Sequence, residues 1–315
     1  MARAVVTGGA GFIGSHLVDA LVARGDSVVV YDNLFSGKEA NLAHVRDRIE
    51  FVRADVRDLD TLRRVVAGAD YVLHQAAVAS VPRSVRDPET TTTANVIGTM
   101  NVLIAARDVG VKRVTFAASS SAYGETEVSP QSESLLPGPV SPYAASKVAG
   151  ELYCRVFHKA YGTEAVSLRY FNVFGPRQDP DSEYAAVIPK FITSVLAGKR
   201  PVIYGTGKQS RDFCYIDNVV SANLLALTAP DAGGRVFNVA CGDSHDLLEL
   251  LRIICDELGR HLDPVFEPVR AGDVMHTHAD ISAIRAGLGY RVLVDFSEGI
   301  RRTVRWFAEH TEPAA

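Results

Sequence analysis

The sequence has little of what marks several classes of protein. Its four cysteines (Cys154, Cys214, Cys241 and Cys255) are too few and too scattered for a disulfide framework or a zinc site. There is no basic surplus to neutralise a phosphate backbone, because the net charge is −4. No apolar run approaches the roughly 20 residues that cross a bilayer. We therefore expect no bound metal, no nucleic acid and no membrane among the partners.

A secretory signal is also not expected, because the opening residues MARAVVTGG lead directly into an apolar run and a glycine turn. Apolar residues make up 47% of the 315 residues and charged residues 22%, which is typical of globular proteins. This length suits one large domain or two closely joined ones. We expect a protein of a reducing compartment, the cytoplasm, that acts on small molecules.

Short apolar runs alternate with amphipathic stretches through the first half of the chain. Strands are predicted at 2–7, 27–32, 49–54, 70–74, 112–118 and 164–169. Helices are predicted at 12–24, 89–109 and 143–161. Such alternation, with almost continuously apolar strands, is typical of an α/β protein whose parallel sheet is covered on both faces.

The pattern changes after Asn172, where prolines become frequent and the segments shorten. A short strand is predicted within 198–207 and a helix at 246–259. We interpret this part as a smaller, mixed α/β domain that binds the substrate. The predicted division is 1–172 plus about 213–240 for the first domain, and 173–212 plus 241–312 for the second.

Gly8, Gly11 and Gly14 stand between the first predicted strand and the first predicted helix. This spacing allows a tight turn and close backbone approach to a pyrophosphate at the helix N-terminus. Asp32 ends the second strand, 18 residues past Gly14, where a carboxylate accepts ribose hydroxyls and repels a 2′-phosphate. The pattern predicts a Rossmann-type doubly wound sheet that binds NAD rather than NADP. Asp55 follows the third strand and is either an adenine contact or a loop aspartate.

Tyr143 and Lys147 lie four residues apart at the start of a predicted helix, and therefore on one face. An ammonium beside a phenol is expected to lower the pKa of the phenol, which makes tyrosine a usable general base. The alternative is an ordinary exposed pair. Ser119 directly follows the fifth strand, where a hydroxyl can relay a proton or simply form a serine-rich turn.

These features together resemble the extended short-chain dehydrogenase/reductase superfamily and, within it, the UDP-sugar 4-epimerases of the UDP-N-acetylglucosamine and UDP-glucose type. The resemblance covers nearly the whole chain. It is carried by TGGAGFIGSHL at 7–17, YDNLFSG at 31–37, HQAAVASVPRS at 74–84, SSSAYGE at 119–125, SPYAASK at 141–147, LRYFNVFGPRQ at 168–178, SRDFCYIDN at 210–218 and RAGDVMHTHAD at 270–280.

The resemblance implies a role for each matching residue. Tyr143 would be the base, Lys147 the residue that tunes it, and Ser119 a bridge to the sugar hydroxyl. NAD would be contacted by Gly8, Gly11, Phe12, Ile13, Gly14, Asp32, Asn33, Ser36, Gly37, Asp55, Val56, Gln75, Ala76, Ala77, Ala79, Asn95, Tyr143, Lys147 and Tyr170. The UDP-sugar would be contacted by Ser120, Ser121, Asn172, Val187, Ile203, Tyr204, Arg211, Arg270, Asp273 and Thr277. A homodimer that pairs the helices at 89–109 and 143–161 is also implied.

The residues after Ser119 bear on the reaction. Related 4,6-dehydratases carry Asp and Glu at the positions of Ser120 and Ser121, and related decarboxylases keep the Glu. Without these carboxylates, 4-epimerisation through a 4-keto sugar is the favoured reaction. UDP-glucuronate epimerisation, another nucleotide-sugar dehydratase or decarboxylase, and a non-catalytic NAD sensor are the alternatives. Thr277, at a position against C2 of the sugar in related epimerases, is small enough to admit an N-acetyl group.

Overall fold

The computed structural model describes residues 1–180, 186–269 and 275–311, and its centre is a seven-stranded sheet. The strands are β1 Arg3–Thr7, β2 Ser27–Asp32, β3 Ile49–Arg53, β4 Tyr71–His74, β5 Arg113–Ser119, β6 Ala165–Tyr170 and β7 Val236–Val239. Their order is β3-β2-β1-β4-β5-β6-β7, and every neighbouring pair is parallel. This is the doubly wound order, so the predicted fold class is confirmed.

Helices cover both faces of the sheet, and alternate strand residues point to opposite faces. Val5 and Val29 pack in one apolar cluster, whereas Val6 and Val30 pack in another on the opposite face. The α-helices are α1 Phe12–Ala23, α2 Leu59–Val66, α3 Val81–Arg86, α4 Pro88–Thr92, α5 Gly98–Val109, α6 Pro142–Tyr161, α7 Val187–Leu196, α8 Ile216–Thr228, α9 Leu247–Glu257, α10 Ser282–Leu288 and α11 Phe296–His310. No helix in the described ranges is long and apolar enough to cross a membrane.

The predicted helix at 89–109 is three helical segments in one. A π-turn at Thr93–Ile97 joins α4 to α5. The widened turn places the buried Asn95 against the loop that follows β4. There the side chain of Asn95 accepts a hydrogen bond from the amide of Val78 at 2.7 Å. Two 3₁₀ segments, Glu39–Arg48 and Ser120–Tyr123, follow β2 and β5.

The second part of the chain forms short paired strands and helices beside the sheet. Residues 173–174 pair with 214–215, residues 210–211 with 245–246, and residues 202–204 with 265–267. One apolar cluster joins α7, α9 and α11 to the β6 and β7 side of the sheet. The two-domain division itself stays a prediction.

The six predicted strands of the sheet are confirmed to within one residue at each end. The seventh strand, β7, is not among the predicted strands. Only four residues long, it lies beside β6, with Val236 opposite Ser167. Its pairing depends on a return of the chain that no local pattern specifies.

Candidate active site

A cleft of about 580 Å³ opens at the carboxyl ends of the strands, around the point where the strand order reverses between β1 and β4. Open α/β sheets bind their ligands at such a switch point. Of the 19 residues that the resemblance assigns to NAD, all except Asn95 line this cleft. Their individual roles stay predictions.

The glycine turn between β1 and α1 is too tightly packed to carry side chains. Gly8 has a φ of +70°, and a Cβ there would come within 2.6 Å of the amide nitrogen of Ala76. A Cβ on Gly14 would come within 2.1 Å of the carbonyl oxygen of Gly8. No side chain caps the start of α1, which leaves its first N–H groups available to an anion. This backbone cradle fits the diphosphate of NAD.

Asp32 is held at the end of β2 by two backbone donors. Its Oδ2 accepts from the amide of Ala10 at 2.9 Å, and its Oδ1 accepts from the amide of Leu34 at 2.8 Å. Gly37 lies so close that a Cβ there would be 3.0 Å from both carboxyl oxygens. Burial raises the pKa of Asp32. The fixed carboxyl group fits the predicted role as an acceptor for ribose hydroxyls.

Asp55 lines the cleft and also has a local role. Its carboxylate accepts from Asn33 at 2.8 Å and from the side chain and amide of Arg57. The pKa of Asp55 is lowered to about 2, and the hydrogen bonds from Arg57 are the largest cause. The two interpretations of Asp55, a cofactor contact and a loop aspartate, are therefore compatible.

Ser119, Tyr143 and Lys147 come together where β5 meets the start of α6. Ser141 caps α6 by accepting from the amide of Ala144 at 3.1 Å, and the helix then places Tyr143 and Lys147 on one face. Nζ of the buried Lys147 donates to the carbonyl of Ala117 at 2.8 Å and lies 5.8 Å from the centre of the Tyr143 ring. Burial lowers the pKa of Lys147 to about 8.

The pKa of Tyr143 differs from the sequence-based expectation. Burial raises it, and a hydrogen bond with Ser119 only partly offsets this rise. Nζ of Lys147 donates to the carbonyl of Ala117 rather than to the phenol, so the expected lowering of the Tyr143 pKa by its charge stays a prediction. Ser119 Oγ accepts from both the amide and the hydroxyl of Ser121, which leaves its own proton for Tyr143.

Asn95 is the one predicted NAD residue that lies behind the cleft wall. Its amide nitrogen donates to the carbonyl of Val78 at 3.2 Å and to the hydroxyl of Ser146 at 2.9 Å. Asn95 thus joins the loop after β4 to the helix α6, and its predicted contact with NAD stays a prediction.

The predicted UDP-sugar residues lie apart from this cleft lining, in the second half of the chain and in the 3₁₀ segment after β5. Asn172 donates to Thr277 Oγ1 at 3.2 Å, and Arg211 donates to the carbonyl of Met275 at 3.1 Å. These contacts gather Asn172, Arg211 and Thr277 in one region. Arg270 and Asp273 lie outside the described residues.

Two of the predicted substrate contacts are packed against the apolar cluster of the second half, one of them completely. The Ile203 side chain is fully buried in the apolar cluster of α7, α9 and α11, so only its backbone can reach a ligand. Val187 starts α7 and packs against the same cluster. Tyr204, at the end of the same short strand as Ile203, is partly exposed.

Sequence reasoning missed several polar residues of the cleft lining. They include Lys38, Asn41, Arg57, Thr90, Arg177, Gln178 and Asp179. The motif that contains Arg177 and Gln178 carried the resemblance, but only the fold shows that this segment reaches the cofactor side.

The fold and this cleft define a Rossmann-type enzyme with a Ser-Tyr-Lys centre beside a dinucleotide cradle. The NAD dependent epimerase/dehydratase family matches residues 4–240. The UDP-glucose 4-epimerase of Mycolicibacterium smegmatis is 41% identical over 315 residues, which cover 98% of this chain and 100% of that one.

Two solved structures are similar over 98% of this chain. The UDP-N-acetylglucosamine 4-epimerase of Methanobrevibacter ruminantium M1, in complex with UDP-N-acetylmuramic acid, is 44% identical with a TM-score of 0.94, and 99% of it is covered. The UDP-glucose 4-epimerase of Thermotoga maritima with UDP-glucose is 38% identical with a TM-score of 0.93, and 100% of it is covered.

This chain belongs to the NAD dependent epimerase/dehydratase family. The resemblance to the UDP-sugar 4-epimerases is thereby confirmed, as are the enzyme class and NAD as the cofactor.

Proposed function

We propose that this protein inverts C4 of a UDP-hexose through a 4-keto intermediate. We propose further that UDP-N-acetylglucosamine and UDP-N-acetylgalactosamine are its substrates, with UDP-glucose and UDP-galactose also accepted. The observation that carries the proposal is the meeting of Ser119, Tyr143 and Lys147 at the end of the NAD cleft, with serine at both positions after Ser119.

The residues divide the chemistry between them. Tyr143 takes the proton of the 4-hydroxyl group, directly or through Ser119, and returns it to the opposite epimer. Lys147 supplies the positive charge that favours the phenolate form. When bound, NAD would supply the hydride acceptor for the oxidation at C4 and the hydride donor for the reduction that follows. Ser120 and Ser121 offer no carboxylate for dehydration or decarboxylation, so reduction of the ketone is the remaining course.

Thr277 supports the preference for N-acetylated sugars. Its hydroxyl is partnered by Asn172, and its backbone is held by Ser210 and Asp212, so the side chain keeps one position. A threonine leaves room for an N-acetyl group where a tyrosine would not. That a solved relative at 44% identity is a UDP-N-acetylglucosamine 4-epimerase supports this preference.

The experiment is turnover by the purified protein with no added NAD. Each UDP-sugar is supplied separately, including UDP-glucuronate, and the products are resolved by NMR. We expect the 4-epimer of the N-acetylated sugars, with no net NADH released. A keto-deoxy sugar would indicate a dehydratase, loss of carbon dioxide a decarboxylase, and stoichiometric NADH a dehydrogenase.

The matched control is Tyr143→Phe, which removes only the phenolic oxygen. It should fold and retain NAD, yet lose at least ~10²-fold in kcat, the usual contribution of a positioned general base. Near-native turnover by this variant would remove Tyr143 from the mechanism. Absence of turnover together with rapid loss of NAD from the native protein would favour a sensor.

We also propose a homodimer that pairs α5 and α6 in the cytoplasm. Leu152 and Val156 are 57% and 52% exposed and lie four residues apart on α6, and Ile97 is also exposed just before α5. An apolar stripe of this kind favours a helical partner. Light scattering should give twice the chain mass, and Leu152→Lys should give monomers. A monomeric native protein would contradict the pairing.

A further inference from the structure

The turn 175–179, which follows the short strand 173–174, lies against two helical segments of the cofactor half. Arg177, Gln178 and Asp179 line the cleft from this turn. Asn41 lines it from the 3₁₀ segment after β2, and Lys38 from the residue just before that segment. The contacts between the two sides form what we call the clasp: the turn 175–179 together with its partners on α1 and on the 3₁₀ segment.

Arg177 is the centre of the clasp. Its guanidinium donates to Asp19 on α1 and, at 3.1 Å, to the carbonyl of Asn41. Asn41 in turn donates to the carbonyl of Ala10 in the glycine turn at 2.8 Å. The Arg177 side chain is mostly buried, so water screens its ion pair less than it screens a surface pair.

Two further contacts flank Arg177. His16 Nε2 donates to the carbonyl of Pro176 at 2.9 Å, and burial lowers the pKa of His16 to about 4, so this histidine is neutral at physiological pH. Lys38 and Asp179 form an ion pair at 3.0 Å on the more exposed side. The clasp thus joins both walls of the cleft over three consecutive contact points.

The backbone of the turn also indicates that these contacts hold it. Arg177 has a φ of +66°, a conformation that an arginine rarely adopts unless its surroundings require it. The guanidinium of Arg177 contributes positive charge to the cleft, which is predicted to bind the diphosphate of a dinucleotide. Asp19 does not line the cleft; one carboxylate oxygen accepts from Arg177 and the other pairs with His44 of the 3₁₀ segment at 2.8 Å.

We propose that the clasp retains NAD between turnovers, with Asp19 as the positioning residue that holds Arg177 over the cofactor. The inference rests on the proposed epimerase function, in which NAD is regenerated in every cycle and has no need to leave. A ligand enclosed by joined walls dissociates only when the contacts between the walls break.

The test is the rate at which NAD leaves the purified holoenzyme, measured without any UDP-sugar. Excess isotopically labelled NAD is added, and its exchange with bound cofactor is followed by mass spectrometry. Asp19→Asn keeps the shape of the side chain but removes its charge. We expect dissociation to accelerate roughly 5- to 10-fold, because a charge-assisted hydrogen bond becomes a neutral one.

Asp108→Asn is the matched control. Asp108 at the end of α5 has the same side-chain exposure as Asp19, 28%, and it also pairs with arginines, Arg63 and Arg107. It lies outside the cleft lining, so its variant should release NAD at the native rate. Equal rates for Asp19→Asn and the native protein would overturn the proposal, as would equal acceleration by both variants.

A double-mutant cycle separates the clasp from general destabilisation. If Asp19 acts through Arg177, then adding Asp19→Asn to Arg177→Gln should accelerate release no further. Multiplied effects would show that the two residues act independently and would overturn the positioning role. Because no sugar is present, the failure of this inference leaves the epimerase proposal standing, and the NMR assay tests that proposal separately.

Discussion

Replacing Gly14 by alanine tests whether backbone packing or helix propensity dominates at the cofactor turn. Gly14 lies in the first turn of α1, where alanine alone would stabilise a helix by about 1 kcal/mol. Against this, the added Cβ would lie 2.1 Å from the carbonyl oxygen of Gly8, over 1 Å inside an ordinary carbon–oxygen contact of about 3.3 Å. The glycine turn cannot easily move away from the added Cβ, because Gly8 donates a hydrogen bond to Tyr31 and accepts one from Gly11.

Overpacking of this kind costs about 3 kcal/mol at the upper end of the usual range. Subtracting the propensity gain leaves a net destabilisation of about 2 kcal/mol. Thermal unfolding of Gly14→Ala should therefore begin several degrees below that of the native protein, and the purified variant should carry less NAD.

Gly138→Ala is the control for the added methyl group. Gly138 also has an ordinary backbone conformation, and its new Cβ would likewise face a carbonyl oxygen, that of Tyr123, but at an ordinary 3.4 Å. We expect this variant to match the native protein in unfolding and in NAD content. If Gly14→Ala also matches it, the close approach in the glycine turn is not a requirement of the fold and the packing argument fails.

Three further predictions follow from the site. Asp32→Ala should weaken NAD binding and relax the exclusion of NADP in titrations of the apoprotein; equal affinity of the native protein for both would contradict the role of Asp32. Thr277→Tyr should abolish turnover of N-acetylated sugars and spare UDP-glucose, through a clash of ~1–3 kcal/mol or more; equal loss of kcat/KM for both would show that Thr277 is not the gate. Since burial lowers the pKa of Lys147 to about 8, its ammonium is lost as pH rises through that value, and the rate should fall there. A rate that is flat to about pH 10 would remove the charge of Lys147 from the activation of Tyr143.

The strands of the sheet could be predicted because a strand that is buried on both faces has a continuous run of apolar residues. Ser27–Asp32 shows this well, since it is buried from Val28 onward. The strand Val236–Val239 was not predicted, although the equally short Tyr71–His74 was; its place beside β6 depends on pairing with residues about 70 positions earlier, which no local pattern specifies. The π-turn was hidden for another reason: the apolar spacing of a helix continues through it.

The same division holds for the site. The glycine turn and Asp32 could be predicted because each needs a particular residue type at a particular spacing. Arg177 could not be placed at the cofactor, because its partner Asp19 lies 158 residues away on α1. Ile203 is assigned to the substrate by the resemblance alone, outside the quoted motifs, and only the packed structure shows that its side chain is buried in the core.

The position of β7, far along the sequence from its partner β6, has a consequence for folding during synthesis. During synthesis β6 emerges long before β7, and until residue 239 has been added the outer edge of the sheet has no strand to pair with. An unpaired apolar strand edge is a template for association with other chains. About half of the second half of the chain is therefore translated before the sheet can be completed, and contacts of such long sequence separation form slowly. Folding during synthesis should consequently be completed late. Until then, the exposed edge of β6 is the surface at which we expect a chaperone to bind.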